Sequence, residues 1–146
     1  GQATRTWVQI AARQNKTILA IDRCRSEPPF PGYGHFQAFS DTLVDVPYSW
    51  QTALGAVRGV YLLVCTKTGQ QYVGSATGSG GFWGRWQAYA AGGDGGNARL
   101  RARGPSVYAL SILEIAPLNA TADTIISLES LWKEKLGSRT YGLNAN

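Results

Sequence analysis

The chain has 146 residues, 44% of them apolar, enough for one domain with a real core. No apolar run approaches the roughly 20 residues of a membrane span, and the net charge of +5 permits a polyanionic partner without requiring one. One histidine and two cysteines, Cys24 and Cys65, with no CxxC pair, exclude a disulfide framework and argue against zinc; both thiols are expected to be reduced, as in a cytoplasmic protein.

Residues 1–20 carry Arg5, Arg13, Asn15 and Lys16 with no apolar block, so no signal peptide is expected. The absence of methionine is expected to leave the native start outside the chain. TWVQIAAR and KTILAIDR, within residues 6–23, alternate apolar and polar positions around Gln14-Asn15, which predicts two strands. WVQIAARQ fits helical spacing as well, so a helix stays open there. SEPPFPGYGHF, residues 26–36, is broken by proline and glycine into a loop. Phe30, Tyr33 and Phe36 make it one that packs on something. Residues 37–58 read as a weak strand or coil, then a short helix near Ser49–Ala56. Residues 1–58 form an N-terminal extension in this reading, ahead of a domain over 59–146.

From residue 59 the signals sharpen. GVYLLVC is a strand, TKTGQ a turn with Gly69, and QYVGSA a second strand. ATGSGGFWG is a glycine-rich loop, and FWGRWQAYAA a helix that stops at Gly92-Gly93. GGDGGNARLRARGP, residues 92–105, reads as a flexible basic loop. SVYALSILEIA is a long apolar strand ended by Pro117. TADTIISLESLWKEKLG is a helix with Thr121 as N-cap, Asp123 in the first turn and Gly137 after the last lysines. The order β-β-α-β-α is that of an α+β unit, a small sheet flanked by helices.

The hairpin carries a parity argument. With a two- or four-residue loop, paired positions sum to an odd number, and Tyr61 and Tyr72 do so. Both tyrosines then share a face, and Val60, Leu62, Val64 and Val73 take the other, which is expected to be the buried one. Gly59 and Gly74 beside the tyrosines leave room for another backbone or a ligand. Arg85 and Tyr89, four apart on a helix, share a face. Glu129 borders the apolar stripe Ile125, Leu128, Trp132 and Leu136, while Glu134 points away. A carboxylate there needs a cation or a metal; an ordinary surface pair with Lys133 is the plainer alternative.

Together these residues resemble the GIY-YIG nuclease family. The two triplets stand as Gly59-Val60-Tyr61 and Tyr72-Val73-Gly74, followed by Arg85 in GRWQAY, Tyr89, Glu129 in LESLWKEKLG and the asparagines of GLNAN. The resemblance covers residues 59–146. It implies a three-stranded antiparallel sheet flanked by helices, and hydrolysis of nucleic-acid phosphodiesters with one divalent metal, Mg2+ or Mn2+. It implies Tyr61 as general base, Arg85 on the scissile phosphate, Tyr72 and Tyr89 as hydrogen-bonding groups, and Glu129 as the metal ligand. Tyr89 competes with Tyr61 for the base role. Asn144 would tie the tail to the active-site face, with Asn146 a weaker candidate. Several family members carry a lysine where Val64 stands; Lys67 is the nearest substitute, though its turn points it away. Some place a histidine where Tyr89 stands.

Phosphodiester cleavage needs an activated water, charge neutralisation and a fixed fork on the phosphate, and these residue types supply them. Arg99, Arg101 and Arg103 suit contact with the backbone of DNA, or of RNA. Trp83 and Trp86 are expected in the core. The hydroxyls of Tyr61, Tyr72 and Tyr89, the Arg85 guanidinium and the Glu129 carboxylate are expected to line one concave surface. Tyr61 facing the core, or Glu129 on the far side of its helix, would sink the assignment. A non-catalytic nucleic-acid binding module and an RNase or single-strand nuclease toxin are the competing readings.

Overall fold

The computed structural model describes residues 27–90, 100 and 106–146. The strands expected over 6–23, Cys24, the stop at Gly92-Gly93, and Arg99, Arg101 and Arg103 lie outside those residues. Strand β1 (Gln37–Phe39) leads through a 3-10 turn (Ser40–Asp45) to helix α1 (Tyr48–Gly55). Hairpin β2 (Gly59–Cys65) and β3 (Gln71–Ala76) follows, then helix α2 (Gly81–Ala90). Strand β4 (Tyr108–Ile115), helix α3 (Ala122–Leu136) and the single turn α4 (Ser138–Tyr141) complete the order.

The sheet is antiparallel throughout, in the order β1-β4-β2-β3. It has one strand more than the resemblance implied. The addition is β1, whose Gln37, Ala38 and Phe39 pair with Ser111, Leu110 and Ala109 of β4. Three residues are too few to show an alternating pattern. Among the described residues no helix is long and apolar enough to cross a membrane.

The hairpin closes on Cys65, whose N–H donates to the Gln70 carbonyl at 2.9 Å, with residues 66–69 as the loop. Tyr61 then pairs with Gly74 and Leu63 with Tyr72, so the two tyrosines share a face. The expectation that the valine face is the buried one needs correcting. Tyr61, Leu63 and Cys65 have no exposed surface, and neither do Val60 and Val73. Both faces are covered, because helices pack on each. On the tyrosine face lie α1, α2 and the proline-rich loop. Phe36 stacks on Trp86 at 5.8 Å, and Phe30 meets Trp50 edge-on at 5.9 Å. The Trp50 indole donates to the Pro28 carbonyl at 2.8 Å and the Tyr33 hydroxyl to that of Ala53 at 2.9 Å. Buried aromatic rings fix this layer by area and by edge-to-face geometry. His35 is exposed.

Helix α3 covers the opposite face. Its Trp132 indole donates to Glu114 Oε1 at 2.9 Å, and Glu114 is the cross-strand partner of Val60. The helix starts where Thr121 Oγ1 accepts the Thr124 N–H, and it ends at left-handed Gly137. Asp123 in the first turn and Lys133 and Lys135 in the last suit the helix dipole. Beyond α4 the chain returns to β3, the outer strand of the sheet. The Leu143 N–H donates to the Gln71 carbonyl at 2.7 Å. The tail thereby covers an edge that would otherwise present unpaired backbone groups.

Candidate active site

Helix α2 carries Phe82, Trp86 and Tyr89 as one buried stripe against the sheet. Arg85 stands one turn before Tyr89 at the border of that stripe and is half-buried. The Tyr61 ring fits among them, 6.4 Å from Phe82, 6.0 Å from Trp86 and 6.1 Å from Tyr89, each near-perpendicular. Its hydroxyl lies 2.9 Å from that of Tyr89 and accepts the Arg85 Nε–H at 3.2 Å. The guanidinium also lies over the Tyr89 ring at 5.6 Å. The ring of Tyr61 thus faces the core, the outcome set above against the assignment of the site. Phe82, Trp86 and Tyr89 of α2 wrap it, and its hydroxyl alone reaches the polar cluster.

Two glycines make this possible. A Cβ on Gly74 would stand 2.5 Å from both Cζ and Oη of Tyr61. On Gly59 it would run into the Glu114 carbonyl, where the β2–β4 register slips by one residue between Val60 and Tyr61. Gly74 therefore makes room for the phenol itself, and Gly59 for the neighbouring strand.

Burial pushes the Tyr61 phenol up to about 12, against the pull of Arg85. Burial raises Tyr89 further still, helped by the charge that Tyr61 and Tyr72 would carry and by the hydrogen bond to Tyr61. For Arg85 burial opposes the charge, but Tyr61 and Tyr89 more than offset it and raise its pKa. Burial thus holds both hydrogen-bonded phenols protonated at neutral pH.

The remaining predicted residues divide. Tyr72 is buried on the same face as Tyr61, with no hydrogen bond to Tyr61, Arg85 or Tyr89. Asn144 is 1% exposed, and its side chain accepts the Val73 N–H at 2.8 Å and donates to the Val73 carbonyl at 2.9 Å. It clamps the tail to β3 beside Tyr72 and Gly74. Asn144→Ala leaves that buried donor and acceptor unsatisfied and is expected to cost about 2–4 kcal/mol, read from urea unfolding. Lys67 is exposed in the hairpin turn. Trp86 is fully buried and Trp83 partly so.

Glu129 does not join the phenols by contact. It sits on α3, across the sheet, and Lys133 Nζ lies 2.7 Å from its Oε2. The i,i+4 pair is present, but it is no ordinary surface pair, since Lys133 is 4% exposed. Lys133 also donates to the main-chain oxygen of Asn146 at 3.2 Å and to its Oδ1 at 3.3 Å. The spacing Glu129–Lys133 flags the pair in the sequence; only the docked tail reveals its burial.

The α+β domain thus gathers two phenols and a guanidinium on one sheet face. The model of the GIY-YIG catalytic domain matches residues 57–142, and the chain belongs to that family. The catalytic domain of homing endonuclease I-TevI is similar at 28% identity, over 61% of this chain and 98% of that one, with a TM-score of 0.47. No curated protein matches.

Proposed function

We propose that this chain is a metal-dependent endonuclease that hydrolyses DNA phosphodiester bonds, with Tyr61 as general base. The contact of the Tyr61 hydroxyl with Arg85 and Tyr89, at 3.2 and 2.9 Å, is the observation that carries it. A phenolate at Tyr61 would accept both hydrogen bonds. The water proton passes to Tyr61 as the water oxygen attacks phosphorus and the leaving oxygen departs. Arg85, firmly protonated, binds the phosphoryl oxygens as charge builds there. Tyr89 donates to Tyr61, and Tyr72 hydrogen-bonds the phosphate or the water. Arg99, Arg101, Arg103 and Lys67 meet backbone phosphates away from the scissile bond.

Glu129 is the group that would hold Mg2+ or Mn2+. Its carboxylate is a hard oxygen donor, only Oε2 is taken by Lys133, and its side chain is 17% exposed. No cluster of three His, Cys, Asp or Glu side chains accompanies it among the described residues. Such a set fits a cation that keeps several waters and shares the substrate phosphate. When bound, the cation neutralises phosphoryl charge and makes its water more acidic.

The test is cleavage of single- and double-stranded DNA and RNA with and without Mg2+ or Mn2+. Glu129→Ala is expected to remove metal-dependent cleavage by about a hundredfold or more. A non-catalytic binding module draws support from the protonated, buried Tyr61 and the paired Glu129. It gains if the protein binds nucleic acid but cuts none of the panel. Cleavage confined to RNA or single strands would favour the toxin-like reading over restriction, phage defence, repair or homing.

A further inference from the structure

Lys133 is the one buried lysine, arginine, aspartate or glutamate among the described residues. An ammonium has three N–H donors, and Lys133 meets Glu129 Oε2 at 2.7 Å, the Asn146 main-chain oxygen at 3.2 Å and Asn146 Oδ1 at 3.3 Å. Its donors are therefore matched by acceptors from one helix turn and the tail. Stripping an acceptor from a buried ammonium is costly.

We infer that Lys133 is a positioning residue that sets the affinity of Glu129 for a divalent cation by competing with it. The inference rests on Glu129 as the metal ligand. A dication arriving at Glu129 meets a positive charge already on the carboxylate. It either displaces the ammonium, which has only Asn146 to fall back on, or remains beside it. Repulsion between charges of two and one at roughly 5 Å, even screened as in water, is worth about tenfold in affinity. The free protein therefore holds the cation weakly. Loading awaits the phosphate of the substrate, whose negative charge offsets Lys133.

The experiment is Mn2+ binding to the full chain without nucleic acid, followed by calorimetry and by the electron paramagnetic resonance of free Mn2+. Lys133→Met is expected to bind Mn2+ about tenfold more tightly than the wild type. Lys133→Gln keeps an amide donor for Asn146 and should show the same gain if the methionine variant folds poorly. Lys133→Arg, which keeps the charge, should stay near the wild type. Unchanged or weaker binding in folded Lys133→Met or Lys133→Gln overturns the inference, because a merely structural lysine can only lose affinity when removed. Glu129→Gln separates the two levels. If it binds Mn2+ as the wild type does, the Glu129 reading itself fails. If it loses binding while the lysine variants are unchanged, only the role of Lys133 fails.

Discussion

Tyr61→Phe is expected to lower nucleic-acid cleavage about a thousandfold, the range for loss of a positioned base, while leaving the domain folded. The ring keeps its place among Phe82, Trp86 and Tyr89, so packing survives. What disappears is the oxygen that accepts from Arg85 and faces Tyr89. Two hydrogen bonds at the border of the core are worth about 1–2 kcal/mol of stability, small beside the kinetic loss. The pH profile supplies the sign. With the Tyr61 phenol pushed up to about 12, it is protonated at neutral pH. Cleavage should therefore rise about tenfold per pH unit above 7. The same shift bounds the assay. A folded phenol held to about 12, against about 10 unfolded, gives stability that is present below pH 10 and lost as pH rises towards 12. Rates below pH 10 thus report on the native protein. Tyr89→Phe should cost less, since it leaves the Tyr61 hydroxyl and its hydrogen bond from Arg85 in place. A greater loss in Tyr89→Phe than in Tyr61→Phe would move the base to Tyr89.

Much of this arrangement is local and so is legible in the residues. Thr121, Asp123 and Gly137 mark the ends of α3 because caps act over a single turn. The parity of Tyr61 and Tyr72 needs only the loop length. The shared face of Arg85 and Tyr89 needs only helical spacing. What stays hidden is decided by tertiary packing. The valine side of β2 looks like the sole inside face until α1, α2 and the proline-rich loop are placed over the other, which turns the Tyr61 ring inward. Lys133 looks like a solvated lysine until Asn144 pulls the tail across β3 and brings Asn146 over it. The layer that holds Glu129 is likewise set by α3 crossing behind the sheet. The phenols and the carboxylate come from opposite faces, and β3, the outer strand between them, is where the tail docks.

That geometry makes Gly74 the backbone position of the hairpin that bears directly on the Tyr61 phenol. Gly74→Ala puts a methyl 2.5 Å from Cζ and Oη and 2.9 Å from Cε2 of Tyr61. No rotamer relieves this, because a Cβ has none and the Tyr61 ring is held on its other sides by Phe82, Trp86 and Tyr89. The expected cost is about 3 kcal/mol, the upper end of overpacking, seen as a lowered urea midpoint. The displaced phenol also leaves Arg85, so cleavage should fall well beyond the loss of folded protein. A double-mutant cycle identifies the cause. Tyr61→Leu removes the atoms that Gly74→Ala strikes, so in that background the alanine should cost less than about 1 kcal/mol. Equal costs in the two backgrounds would place the damage in the strand rather than against the phenol. The hairpin would then lose its claim to shape the site through Gly74.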